Sequence, residues 1–387
     1  MSNVKHPARQ WLWICLGLTL ALGIVFFGSG GRFPFGESLR TQVPVQITRA
    51  EFTGLIERLS EPEGYFDTDN FISNETSYLH VVPSLRENVR TGGAYIGVGP
   101  DQNFTYIVHS QPSIAIIADI RRQNLLQHLL FKVLIEEARD RHDFLCQLLS
   151  RNCAPQDGET EFGDMLFAVK TASPDPDLFD RNLEIIIRIL LEDYGLSLTG
   201  LDLERIEYVY RSFFETGLGM RFSTLGRPRP GYPTFEELIR ETDVDGQYQN
   251  YLSDDTLFSR LQQFQRENRI IPIVGDFAGL HALRAAATFL EAKGLEVSVF
   301  YTSNVEFYLF DLPEWRDYVA NVRAFGFTDD AVFIRSYFPA FGRPHPQNLP
   351  GHRPTSLIQH VAGFLDDARD GQHQSYWDIV ARNLIPH

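Results

Sequence analysis

Between Ala94 and Asp119 an apolar strand runs into the turn Gly97-Val98-Gly99, a short helix-compatible stretch follows, and a second apolar run from Ile114 to Ala118 ends in an acid. A strand, a glycine turn, a helix and an acid at the tip of the next strand are how α/β proteins build a pocket for a nucleoside cofactor. The glycines let the backbone turn sharply and come close to a ligand, and the acid can hold ribose hydroxyls. The stretch 103–109 supplies the helix, with Asp101 or Asn103 as its N-cap.

The rest of the chain fits the same architecture. Ile270 to Val274 reads as a strand, Gly275 to Gly279 as a turn, and Leu280 to Lys293 as a helix stopped by Gly294. Glu296–Tyr301 and Ala331–Ser336 are further strands, with a helix at Trp315–Ala324 between them and a terminal helix from Ser356 to Arg369. Alternating strands and helices predict a mainly parallel, doubly wound sheet. After Asp119, one long amphipathic helix is expected as far as about Leu149. Residues at about 151–265 read as a helical insertion, with helices at Leu183–Asp193, Leu203–Phe214 and Tyr248–Asn268. The globular domain is therefore expected over residues 51–387.

Ahead of it, Trp11 to Gly28 carries no charge, which is near the lower limit for a membrane-spanning helix. Residues 1–31 read as a tail and an uncleaved transmembrane anchor, with a cleaved signal peptide as the competing reading. Residues 32–50 read as a polar tether. Basic residues flank the span on both sides, so the side on which the domain lies stays open. The formal charge of −15 argues against a nucleic-acid partner, because neutralising phosphates needs a basic face. Three cysteines leave Cys146 and Cys153 two readings: buried thiols, the favoured one, or a disulfide if the helix ends between them.

Ligands of open parallel sheets sit beyond the carboxyl ends of the strands. This sequence places Gly97, Gly99, Asp101 and Asn103 there after the first strand, and Asp119 and Arg121 after the second. Asp276 follows the third. The loops Ser73-Asn74-Glu75 and Ser303-Asn304-Val305-Glu306 each join a carboxamide to a carboxylate, so Glu75 or Glu306 is a candidate general base. No HExxH motif or closely spaced Cys/His set supports a transition-metal site, and neither a GxSxG elbow nor a Walker A loop is present.

The run from Ala94 to Asn124 resembles the cofactor-binding half of class I S-adenosylmethionine-dependent methyltransferases, a Rossmann-like superfamily. The resemblance implies that Gly97 and Gly99 form the turn facing the cofactor and that Asp119 binds its ribose. Val274-Gly275-Asp276 matches a further strand-end motif. Cofactor-side residues are then Gly97, Gly99, Asp101, Asn103, Asp119 and Arg121; the substrate side falls to Glu306, Asn304, Glu75 and Asp276. The combination SNE, GVGPDQNFTYI, DIRR, IVGDFAG and FYTSNVEFYLF also looks like an uncharacterised bacterial membrane-anchored family. The expectation is a membrane-anchored methyltransferase-like protein using S-adenosylmethionine. The alternative is a non-catalytic ligand-binding or scaffold protein of the same fold outside the cytosol. A dinucleotide-dependent oxidoreductase is disfavoured, since the third glycine of that fingerprint is missing.

Overall fold

A mostly parallel seven-stranded sheet organises the chain, in a computed structural model that describes residues 46–155, 160–224, 227–228, 231–339 and 343–386. The strands are β1 (Ala94–Gly97), β2 (Ile114–Asp119), the short hairpin β3 (Ser223–Thr224) and β4 (Arg227–Pro228), β5 (Ile270–Val274), β6 (Val297–Ser303), β7 (Phe327–Tyr337), β8 (Thr355–His360) and β9 (Leu384–Ile385). The main sheet has the order β5-β2-β1-β6-β7-β8-β9. Its first five strands pair in parallel, and β8 and β9 add antiparallel at one end. Every residue of β1, β2 and β5 is buried, so both faces of that half of the sheet are covered, as their unbroken apolar sequences require.

The helices, in chain order, begin with α1 (Arg49–Leu59), α2 (Val82–Asn88), α3 (Gln102–Ser110), α4 (Arg122–Glu137) and α5 (Arg141–Leu148). The insertion supplies α6 (Phe162–Thr171), α7 (Pro176–Arg188), α8 (Gly200–Thr216), α9 (Phe235–Ile239) and α10 (Asp255–Arg266). The second half of the sheet carries α11 (Ala282–Ala292), α12 (Val305–Leu309), α13 (Trp315–Arg323), α14 (Val361–Arg369) and α15 (Tyr376–Ala381). Local signals account for many of the ends. Thr48, Asp140, Asp175, Thr199 and Asp254 each accept a backbone N–H in the first turn of the helix they start.

Four expectations need correction. The long helix after Asp119 is two helices: the backbone becomes extended at Ala138, and Asp140 then caps α5. Its first part is not amphipathic: every residue from Asn124 to Ile135 is buried, including Lys132, whose ammonium donates to Glu136 (2.7 Å) and to the Gln265 carbonyl (2.5 Å). The helix expected from Ser356 begins only at Val361, since Thr355–His360 pairs with β7 and is buried at all but its last residue. The stretch from Tyr248 becomes helical only at Asp255.

The predicted anchor at 1–31 and the tether as far as residue 45 lie outside the described residues. The tether's last residues are part of the domain. Ile47 is buried, its carbonyl accepts from Asn268, and α1 starts at Arg49. Among the described residues no helix is long and apolar enough to cross a membrane.

Candidate functional site

The order of the sheet reverses between β1 and β6: β2 and β5 lie to one side, and β7 to the other. Backbone leaving β1 and β6 therefore diverges and opens a crevice at the strand tips. A cavity of about 360 Å³ occupies it. Its wall includes Gly99 after β1, Asp119 and Arg121 after β2, Asp276 after β5, and Ser303 and Asn304 at the end of β6. The loop before α2 adds Phe66, Ser73, Asn74 and Glu75, while the insertion contributes Phe222 and Tyr232. The rim is aromatic, with Phe66 edge-on to Tyr308 at 5.3 Å and Phe222 edge-on to Tyr232 at 5.1 Å.

Of the expected residues, Gly99, Asp119, Arg121, Asp276, Asn304 and Glu75 meet at this cavity, whereas Gly97, Asp101, Asn103 and Glu306 do not line it. The glycine turn explains three of those absences. Asn103 is fully buried behind it, donating to the carbonyls of Val98 (2.8 Å) and Pro100 (2.7 Å) and accepting from the Tyr95 hydroxyl (2.8 Å). Gly97 is needed for this packing. A Cβ there would lie 2.0 Å from Asn103 Oδ1 and 2.6 Å from the Tyr95 ring. Asp101 also turns inward, accepting from Tyr251 (3.0 Å), and burial pushes its carboxyl up to about 6. Of the turn's two glycines, Gly99 lines the cavity, at φ +81°, in the left-handed region that favours glycine. His128 Nε2 donates to its carbonyl (2.9 Å).

Asp119 is already engaged. Arg121 Nε donates to Oδ1 at 2.9 Å and Nη2 to Oδ2 at 2.7 Å, and the Arg121 backbone N–H adds a third bond at 2.9 Å. The same guanidinium donates through Nη1 to the carbonyls of Thr68 (3.1 Å) and Asp69 (2.6 Å). The Asp69 carboxylate in turn accepts from Ser223 in β3 (2.9 Å). One buried ion pair thus connects a strand tip, the cavity loop and the insertion.

Glu75 sits at the base of the cavity. Its carboxylate accepts from Gln102 Nε2 (2.7 Å), from the Tyr301 hydroxyl (3.1 Å to each oxygen) and from Ser303 Oγ (2.5 Å). Ser303 holds φ +51°, an uncommon conformation for a residue with a side chain. Burial, reinforced by the Glu75 charge, pushes the Tyr301 phenol well above its ordinary value. The neutral phenol therefore acts as a hydrogen-bond donor. Gln102, Tyr301 and Ser303 stand at strand tips in the sequence, but nothing local marks them as partners of Glu75.

The other candidate carboxylate has a different fate. Glu306 is buried and accepts from Arg335 Nε (2.5 Å) and Nη2 (2.8 Å) and from the Tyr318 hydroxyl (2.6 Å). Such a saturated ion pair serves packing rather than proton transfer to a ligand. Asp276 faces the cavity, with Oδ1 accepting from the Ala278 N–H (2.9 Å).

Away from the cavity, Cys146 and Cys153 form a disulfide. This corrects the favoured reading of two buried thiols. α5 ends at Leu148, so the chain can turn back and bring Cys153 beside Cys146.

A comparison with curated proteins finds no match. A family model described as a domain of unknown function (DUF7790) matches residues 70–155 and 225–381, taking in the glycine turn, the Glu75 loop and the strands on both sides of the crevice. The match spans more than half of the chain, which therefore belongs to the DUF7790 family.

Proposed function

We propose that this chain is a membrane-anchored, Rossmann-like and methyltransferase-like protein that takes S-adenosylmethionine in the strand-tip cavity. The observation that carries the reading is the convergence of Gly99, Asp119, Asp276 and Asn304 with Glu75 around one cavity at the point where the strand order reverses. Its volume of about 360 Å³ suits a small organic ligand, and the positive φ of Gly99 allows close backbone approach. The residues fit such a cofactor with one exchange: Arg121 has to yield Asp119 oxygens to the ribose hydroxyls. When bound, the cofactor supplies an electrophilic methyl group. Glu75, rather than the internally paired Glu306, then faces the acceptor side, where it orients Tyr301 and Ser303.

Calorimetry with S-adenosylmethionine on the full chain tests this reading. Binding that is lost in Asp119→Ala supports it; no binding by the wild type, or equal binding by the variant, removes the cofactor assignment.

A non-catalytic binding protein outside the cytosol is the second reading, and the Cys146–Cys153 disulfide favours it, because such bonds persist in oxidising compartments. S-adenosylmethionine is made in the cytosol, so topology separates the two. A reporter fused to the carboxyl terminus and active only outside the cytoplasm selects the second.

A further inference from the structure

A second cavity, of about 420 Å³, opens beside the disulfide and is lined by His142, Cys146 and Cys153. His142 and Cys146 lie one turn apart on α5, with His142 Nε2 3.5 Å from Cys146 Sγ. One donor atom from each of the three residues falls within 4.8 Å of the others. His142 and Cys146 are buried, and Cys153 is partly so. In the sequence the spacing His-x3-Cys-x6-Cys matches no familiar metal motif, so only the return of the chain after α5 reveals the cluster.

We infer that, once the disulfide is reduced, His142, Cys146 and Cys153 form a binding site for a thiophilic cation of the Zn2+ type. The reading is independent of the proposed cofactor site. It rests first on a scaffold that does not need the S–S bond. The Arg151 N–H donates to the Cys146 carbonyl (2.8 Å), the Asn152 N–H to Ser173 (2.9 Å) and the Cys153 N–H to Arg151 (2.9 Å), and Arg151 bridges to Pro174. Arg151 Nη2 also donates to the Phe214 carbonyl of α8 (3.1 Å). These bonds keep Cys153 beside α5 when the sulfurs part.

Distances agree. Ligand atoms of a tetrahedral zinc ion, bound at about 2.0–2.3 Å, lie about 3.5–3.8 Å apart. The three donors need only small side-chain rotations to reach that spacing, with the cysteine Cα atoms 6.1 Å apart.

Charge agrees as well. The cavity wall carries Glu137, Asp143 and Asp175 against Arg139, Arg151 and Arg181, a balanced set. Two thiolates then neutralise a divalent ion, and the cavity leaves room for water at the fourth position.

The chemistry balances. A phosphine reductant and water convert the disulfide to two thiols and a phosphine oxide; a dithiol does the same while becoming a disulfide. Binding of the cation then releases both thiol protons.

The test uses the full chain carrying Cys15→Ser, so that no third thiol competes. It is reduced without oxygen by tris(2-carboxyethyl)phosphine, desalted and titrated with Co2+ and then Zn2+ against a chromophoric chelator. One ion per reduced chain is expected, with a thiolate-to-cobalt band in the near ultraviolet, and none per oxidised chain. Cys146→Ser and Cys153→Ser should each abolish the band, and His142→Ala should weaken binding at least about tenfold. The inference is overturned if the reduced chain takes up no ion, or if uptake survives the two cysteine substitutions together. It also fails if circular dichroism shows that the reduced chain loses its helices, because the site requires the scaffold to outlast the bond.

Discussion

Arg121 holds both carboxylate oxygens of Asp119, Nε at 2.9 Å and Nη2 at 2.7 Å, with side chains only 9% and 5% exposed. Removing one partner of such a pair leaves a buried charge unmatched, at a cost of about 3–5 kcal/mol. Arg121→Ala should therefore lower stability in urea by that order, and it should also release the loop at Thr68 and Asp69 from the strand tip. Hydrogen exchange over residues 66–70 is the second readout. Unchanged protection there would mean that the loop is held by something other than Arg121.

Glu306 and Glu75 should separate cleanly by mutation. Glu306→Ala strands Arg335 in the core, and about 3–5 kcal/mol of stability should be lost. Ligand affinity, measured on the fraction that stays folded at low temperature, should not change, since Glu306 does not line the cavity. Glu75→Gln turns an amide N–H toward donors and should cost less, about 1–3 kcal/mol. Its effect should fall on ligand affinity at the cavity, through loss of the Tyr301 and Ser303 contacts that shape the acceptor side. The reverse pattern would return the functional role to Glu306.

Acid should act through His128. Burial holds its imidazole down to about 4, against 6.5 for the unfolded chain. Between those values the unfolded chain takes up a proton that the folded chain refuses. Stability is thus full above 6.5 and falls as pH drops toward 4, by up to about 1.4 kcal/mol per pH unit. His109, also lowered to about 4 by burial, acts in the same sense. Asp101 and Glu241, raised by burial to about 6 and about 7, act in the opposite one. His128→Gln keeps a donor for the Gly99 carbonyl and removes one titration. The stability of the wild type minus that of the variant should therefore decline through this window while the other groups cancel. A flat difference would contradict a buried neutral His128.

Gly97→Ala should destabilise by about 1–3 kcal/mol, because the added methyl meets Asn103 and Tyr95 from behind the turn. Thermal unfolding measures it. A neutral result would mean that the Tyr95–Asn103 hydrogen bond yields without loss.

Much of the architecture was legible in the chain. Ile114–Asp119 and Ile270–Val274 are short apolar runs ended by polar residues, and each became a buried parallel strand with its acid or glycine at the tip. Thr355–His360 was not legible. Six residues that also suit a helix were drawn into the sheet by antiparallel pairing with β7, the strand before them in the chain. The break between α4 and α5 was marked by Asp140, but a capping aspartate reads like any polar residue on a helix surface.

What the sequence determined by itself was therefore local: the periodicity of strands and helices, and the crowding of polar side chains at the strand tips. Which of those side chains face the cavity was decided only by the tertiary structure. The partners that settle each one are remote. Tyr301 lies 226 residues from Glu75, and Tyr251 lies 150 from Asp101. A carboxylate's role follows from the donors that reach it: Arg335 closes Glu306 into the core, while Arg121 leaves Asp119 at the cavity wall, already bound.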